Sequence, residues 1–387
     1  MLRPHARLSM RLNHTEMTWR EKLWQINWSL MALITAVTGI GLLTLYSAAQ
    51  GHLEPWALKQ ALRFLLGMGI LVAVAMVDIR FWMRQAYTLY AIAMVLLVAV
   101  QVRGTIGMGA QRWIDLGIIQ VQPSEIMKVA LVLTLARYFH GATLQEVGRP
   151  LFLLPPLAMV LAPVALVLKQ PDLGTALMLM MSSGAIFFLA GVRMWKFGVL
   201  IAGGLAAVPV AWNFLHGYQK QRLIIFLNPD SDPLGAGYHI TQSKIALGSG
   251  GLLGKGFLHG TQSRLDFLPE KQTDFIFTMF AEEWGMVGGL VLLALYVMLV
   301  AYGYAIALRC RSQFGRLVAL GITTTFFLYF FINIAMVMGL VPVVGVPLPL
   351  ISYGGTAMLS LLFGFGLLMS AYIHRDVAIG RRGSHED

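Results

Sequence analysis

Charge is what this chain has least of. Only 12% of its 387 residues are Asp, Glu, Lys or Arg, against about 25% in a typical soluble domain. Acidic side chains are the scarcer kind, 18 against 29 basic ones. Cysteine is nearly absent, with Cys310 the single example. That excludes a disulfide within the chain and a zinc site built on paired cysteines. Arg309 and Arg311 flank this thiol and could lower its pKa, but a bystander thiol is the simpler reading. The motifs of soluble chemistry are missing as well: no Walker loop, no G-x-S-x-G and no H-E-x-x-H. Their absence argues against an ATP-driven function. No internal repeat is evident. Residues 1–27 are polar and basic and contain no apolar core, so no cleavable signal peptide is expected and the first span acts as its own insertion signal.

Apolar residues fill the chain instead. They make up 57% of it, and the mean hydropathy is +0.70. Many apolar runs approach the roughly 20 residues that cross a bilayer. Spans are predicted over 28–48, 57–77, 83–102, 123–140, 151–168, 172–190, 195–215, 274–304, 316–340 and 349–374. The fold class is therefore all-α: a polytopic membrane protein with ten transmembrane helices and a large extracytoplasmic loop, 216–273, between helices 7 and 8. Segment 1–27 is cytoplasmic, 28–376 forms the membrane domain, and 377–387 is a short cytoplasmic tail.

Basic residues set the orientation. With both termini inside, seventeen Lys and Arg fall in cytoplasmic segments. Five fall in short outer loops: Lys59, Arg63, Arg103, Arg112 and Lys169. The net charge of +11 is mostly this topogenic excess. No basic domain stands outside the membrane, so nucleic acid is not an expected partner. Membrane lipids with anionic headgroups, or an anionic lipid substrate, fit better.

The long loop is glycine-rich without being low-complexity. Its stretch from Tyr238 to Leu247 spaces Ile240, Ser243, Lys244 and Leu247 as one helical face. This predicts a short amphipathic helix at the outer interface, followed by a glycine-rich turn.

Ionisable groups in a membrane chain are costly and mark function by default. In Pro269–Phe277, a polar loop containing Glu270 and Lys271 runs into an apolar helix, with Asp274 at the seam. Asp274 has two readings: an N-cap for the eighth span, or a general base facing a substrate at the lipid–water boundary. Thr273 could cap in its place. Glu282 lies about 80° around the helix from Asp274 and Glu283 about 180°. Both are expected roughly 12–14 Å below it, as buried structural groups contacting Arg or Lys of neighbouring spans.

Other polar motifs open helices on the same side. Gln122-Pro123-Ser124-Glu125 starts the fourth span, with Pro123 suited to the first helical position. Glu125 and Lys128, three residues apart, form an ion pair, or Lys128 meets a lipid phosphate. Arg112 beside Trp113 suits a pyrophosphate or headgroup. Lys169-Gln170-Pro171-Asp172 starts the sixth span, and Arg222 lies in the long loop. Ser352-Tyr353-Gly354-Gly355 starts the tenth, where glycines let backbone approach a ligand. Four helix N-termini converging on one outer region favour an anion.

Four stretches in this order resemble the SEDS family of bacterial cell-wall polymerases: GAQRWIDLGIIQVQPSEIMK at 109–128, QPDLGT at 170–175, LDFLPEKQTDFIFTMFAEEWG at 265–285 and MGLVPVVGVPLPLISYGGT at 338–356. The resemblance spans about residues 20–376, and Pro342–Pro347 has the form of the elongation branch. It implies peptidoglycan glycosyltransferase activity at the bacterial inner membrane. Lipid II, or a glycan growing on undecaprenyl pyrophosphate, would be donor and acceptor. It also implies that Asp274 is the essential carboxylate and Asp266 a second candidate. Partners would be a class B penicillin-binding protein (a transpeptidase) and other elongation-complex proteins. No cofactor is certain, and a divalent cation such as Mg is compatible. The substrate-binding set is Arg112, Glu125, Lys128, Asp172, Arg222, Lys244, Asp266, Glu270, Ser352, Gly354 and Gly355. The rival reading is a lipid II flippase without chemistry, with Glu282 and Glu283 as its polar path.

Overall fold

The computed structural model describes residues 18–107, 110–115, 117, 120–214, 217–228, 232, 236–261 and 270–380, and a few side chains within these stretches are not described. Helices dominate. In chain order they are α1 (Trp19–Trp24), α2 (Trp28–Ala48), α3 (Ala57–Met76), α4 (Ile79–Arg103), α5 (Pro123–Phe139), α6 (Leu144–Gly148) and α7 (Pro150–Lys169). There follow α8 (Leu173–Leu189), α9 (Met194–Phe214), α10 (Gly217–Leu227), α11 (Ala236–Ser249), α12 (Ile276–Arg309), α13 (Gln313–Val337) and α14 (Gly355–Ile373). Seven of them (α2, α3, α4, α7, α12, α13 and α14) are long and apolar enough to cross a membrane. α8 and the described part of α9 are shorter apolar helices. α5 carries Glu125, Lys128 and Arg137 within its 17 residues. The chain is a multi-pass membrane protein.

Local chemistry sets where helices begin. The side chains of Asn27, Asp172 and Ser312 accept backbone N–H bonds from the first turns of α2, α8 and α13, as N-caps do. Prolines at the first position open α5 and α7. Thr18 and Glu21 form a capping box that starts α1, a short helix the sequence reading leaves unassigned. α13 is the most enclosed of the spanning helices. α14 packs closely along α3: a Cβ on Gly366 would stand 2.8 Å from the Val74 Cβ, so the small residue sets that distance.

The fold departs from the all-α expectation in one place. β1 (Thr105–Gly107), β2 (Ala110–Asp115) and β3 (Gln120–Val121) form an antiparallel sheet between α4 and α5. It pairs Ile114 with Val121 and Asp115 with Gln120, which presents Arg112 and Trp113 above the start of α5.

The eighth predicted span is broken. At Gly285 the backbone turns to φ 64°, ψ −163°, so α12 is a half-helix, Ile276–Trp284, followed by a main helix, Met286–Arg309. The main helix alone is about 36 Å long, enough to cross a bilayer. The half-helix is buried as far as Glu283. A break in a membrane helix frees backbone groups that something must satisfy. Here the glycine-rich turn after α11 does so. The N–H groups of Lys255 and Gly256 donate to the carbonyls of Glu282 and Glu283, at 3.0 Å each, while Met286 and Val287 donate to Gly251 and Leu252 at 2.9 and 3.1 Å. A Cβ on Gly254 would lie 2.1 Å from the Glu283 carbonyl oxygen, so only glycine fits this joint.

The two glutamates are buried, as expected, but the partners shown are not Arg or Lys of neighbouring spans. Glu283 accepts a hydrogen bond from Ser47, at the last turn of α2. Glu282 binds Lys255 Nζ at 2.6 Å and both the backbone N–H and hydroxyl of Thr261. Their partners come from the segment after α11 and the last turn of α2. The amphipathic helix appears as α11. Ile240 and Ser243 face inward on it, and the Ser243 hydroxyl donates to the Val337 carbonyl at 2.9 Å.

Candidate active site

The starts of α5, α8, α12 and α14 surround one cavity of about 510 Å³. β2 and β3 and the 344–347 loop, between α13 and α14, complete its wall. Two ion pairs face it, one buried and one half-buried. On α5, Lys128 Nζ lies 2.7 Å from Glu125 Oε1, and the two side chains are 3% and 4% exposed as residues. The Lys128 ammonium also contacts the Tyr329 hydroxyl and stands 4.3 Å from that ring's centre. Tyr329 in turn donates to Glu125 Oε2 at 2.5 Å. The second pair joins Arg112 Nε to Asp172 Oδ2 at 3.7 Å. Arg112 also donates to the Pro171 carbonyl at 2.7 Å, while Asp172 caps α8 through Thr175.

Asp274 lines the same cavity, in the turn before α12. The N-cap position belongs to Phe275, which makes no side-chain cap bond. Thr273 does not take that role either: its hydroxyl bonds to the Glu270 carbonyl and carboxylate, at 3.3 and 3.1 Å. Asn333 anchors the turn by donating to the carbonyls of Asp274 and Val346, at 2.9 and 2.7 Å. Gly345, at φ 72°, passes so near that a Cβ on it would stand 3.4 Å from Asp274 Oδ2. A carboxylate held this way beside two cations can take a proton from a hydroxyl while positive charge meets a phosphate.

Residues 21–377 match the FtsW/RodA/SpoVE family, described as cell cycle protein. The chain is 50% identical over 313 residues to peptidoglycan glycosyltransferase MrdB of Escherichia coli K12, covering 80% of this chain and 84% of that one. It is 32% identical to peptidoglycan glycosyltransferase RodA of Treponema pallidum, covering 88% and 96%. The chain belongs to the SEDS family. Solved structures agree. A chain from a peptidoglycan synthase complex that coordinates polymerization and crosslinking aligns with this SEDS protein at TM-score 0.76 and 32% identity, covering 90% of this chain and 98% of that one. The rod shape determining protein RodA of Thermus thermophilus aligns at TM-score 0.68 and 29% identity, covering 91% and 98%.

The cavity of this SEDS protein gathers Arg112, Glu125, Lys128, Asp172, Asp274 and Gly354. Other residues expected to bind substrate are placed elsewhere. Ser352 is a staple: its hydroxyl donates to the Thr273 carbonyl at 2.6 Å and accepts from Leu348 N–H at 2.7 Å. Glu270 holds Thr273. Lys244 lays its stem against Gly339, where a Cβ would meet its Cε at 2.3 Å. Gly355 abuts Arg63 rather than lining the cavity. Arg222 lies on α10, but its side chain is outside the described residues, as is Asp266 altogether.

Two functional candidates escaped the sequence reading. Tyr329 binds both members of the α5 pair, and its signal was a lone phenol in the apolar run Phe326–Phe331. Arg63 stacks on Tyr353, 4.7 Å from the ring centre, and sequence separates it from every other site motif. Among the described residues no group of three or more His, Cys, Asp and Glu side chains is placed to hold a metal ion, so no ligand set is assigned to a divalent cation.

Proposed function

We propose that this peptidoglycan glycosyltransferase polymerises lipid II into β-1,4-linked glycan strands during cell elongation, with Asp274 as general base. Asp274 accepts the proton of the acceptor GlcNAc 4-hydroxyl. That oxygen bonds to the anomeric carbon of the donor MurNAc with inversion, and the bond from that carbon to undecaprenyl pyrophosphate breaks. Arg112 and Lys128 meet the charge that develops on the leaving group. The observation that carries this reading is the shared cavity, which Asp274, Arg112 and Lys128 all line. Both cations already hold carboxylates, Asp172 and Glu125. A pyrophosphate would share them rather than meet bare charge.

In this proposal the chain crosses the bacterial inner membrane ten times. α5, α8 and α9 supply the three spans beyond the seven long apolar helices, both termini face the cytoplasm, and the cavity opens outward. The partner is a class B penicillin-binding protein within the elongation machinery, a reading supported by the likeness to a synthase complex that couples polymerization to crosslinking. The flippase reading draws no support from Glu282, whose carboxylate is engaged by Lys255 and Thr261, while Glu283 is held through Oε1 by Ser47.

The deciding experiment incubates purified protein with lipid II and reads glycan length on a gel. Asp274→Asn is expected to lower the rate about 10²–10⁴-fold, the typical worth of general-base catalysis, with an unchanged melting profile. Strand synthesis near the wild-type rate would remove Asp274 from the role.

A further inference from the structure

A second large cavity, of about 350 Å³, lies away from the active site among α7, α8 and α9. Its volume is in the range of sites that take small organic ligands, roughly 300–1,000 Å³. Its walls are the first turns of α7, the last turns of α8 and the first turns of α9, including Leu157, Met180, Phe187 and Leu200. In the orientation proposed above this is the inner-leaflet half of the bundle. The lining is almost wholly apolar, with two polar exceptions, Ser183 and Lys196.

Those exceptions point to a ligand. The Ser183 residue is 2% exposed and its hydroxyl has no hydrogen-bond partner. An orphaned buried hydroxyl is costly, and pure hydrocarbon would leave it so. Ser183 sits six residues before the C-terminal residue of α8, about 9 Å along the axis. A glycerol ester carbonyl falls near that depth when a lipid phosphate lies at the helix ends. Basic residues stand at the helix ends that border the cavity. Lys196 Nζ donates to the Gly148 carbonyl at 2.9 Å. The Arg193 guanidinium lies against Gly148, 3.8 Å from where a Cβ would be. Arg149 is exposed at the N-cap of α7, whose first turn has no side-chain cap. Uncapped backbone N–H groups with two arginines beside them suit a phosphate. The nearby carboxylate, Glu146, is engaged in the capping box of α6 with Thr143.

We propose that this cavity holds one acyl chain of an anionic diacyl phospholipid of the inner leaflet. The phosphate sits at Arg149, Arg193 and the start of α7, and Ser183 donates to an ester carbonyl. The site is separate from polymerisation, so its test does not depend on the catalytic reading. Gly184 and Gly204 both line the cavity, and a Cβ on either meets nothing within 4 Å. Larger side chains there fill empty space without disturbing the helices.

The test is native mass spectrometry of the full-length detergent-purified protein, titrated with phosphatidylglycerol, phosphatidylcholine and undecaprenyl phosphate. Phosphatidylglycerol is expected to bind tightest. Arg149→Gln with Arg193→Gln should weaken it about thirtyfold, from a factor of about five for each basic residue at an anionic headgroup, bringing it close to phosphatidylcholine. Gly184→Leu should abolish the adduct while the melting temperature holds. Equal affinity for the two phospholipids, tighter binding of undecaprenyl phosphate, or an adduct that survives Gly184→Leu would each overturn the proposal.

Discussion

Glu125→Gln is the most informative perturbation of the active-site cavity. It keeps the side chain's shape and removes its charge. The Lys128 ammonium, 3% exposed as a residue, then loses its counter-charge and keeps only neutral contacts, the new amide oxygen and the hydroxyl and ring of Tyr329. Removing one member of a buried ion pair costs about 3–5 kcal/mol, because the surviving charge is left uncompensated. The cavity borders this pair and admits water on one side, so the lower end, about 3 kcal/mol, is expected. Lys128→Met should cost a similar amount. It strands a carboxylate whose other partners are Tyr329 at 2.5 Å and Ser360 at 3.4 Å. The double substitution buries no charge, so its cost should fall below the sum of the singles by about 2 kcal/mol or more. Denaturant or thermal unfolding of the purified protein, followed by circular dichroism, measures all three. Additive costs, with a coupling below about 0.5 kcal/mol, would mean that each charge is solvated independently, and the buried-pair reasoning would fall. Polymerisation assays on the same proteins separate the roles: if Lys128 meets the leaving pyrophosphate, the double variant regains stability but not activity.

Other outcomes follow from the same geometry. Gly254→Ala should prevent stable folding or sharply lower the melting temperature, since its Cβ would fall 2.1 Å from the Glu283 carbonyl oxygen; an unchanged melt would refute the tight joint at Gly285. Lys255→Met removes the cation held by Glu282, 0% exposed, and should destabilise by about 3 kcal/mol in the same unfolding assay. Burial raises the Cys310 thiol to about 11, so a maleimide at pH 7.5 should label only protein unfolded in detergent; rapid labelling of the folded form would show the thiol to be accessible. His374 donates through Nδ1 to the Ser370 carbonyl at 2.9 Å, its Nε2 is buried without a partner, and burial lowers its pKa. A group with a lowered basic pKa binds its proton better when unfolded. Its stabilising effect is therefore complete above about pH 6.5, the unfolded value, and is lost as pH falls toward the folded one. His374→Gln should flatten that part of a melting-temperature profile between pH 7.5 and 5.5.

Much of the site was legible because membrane physics makes polar residues conspicuous. Glu125, Lys128, Asp172 and Asp274 stand out at the edges of apolar runs, where each charge carries a cost that a bland role does not explain. Lys244 and Ser352 stood out for the same reason, yet pack against Gly339 and the Thr273 carbonyl. Polarity at a helix start identifies a constrained residue without saying whether substrate or backbone is its partner. Tyr329 and Arg63 went unread for the opposite reason. A phenol within an aromatic run looks like core, and a basic residue near a span end looks like a topology signal.

The order of apolar runs and their basic flanks by themselves determined a polytopic membrane protein, and the four polar motifs carried the resemblance to the SEDS family that made Asp274 the expected carboxylate. Hydropathy and charge act locally, so they can be read along one dimension. Tertiary structure alone decided which partner each charge takes. It paired Lys128 with Glu125 and Tyr329, seated Lys255 on Glu282, and ended the half-helix at Gly285 because a glycine turn from another segment satisfies the broken backbone. Such choices depend on contacts between residues far apart in the chain, and no local pattern carries them.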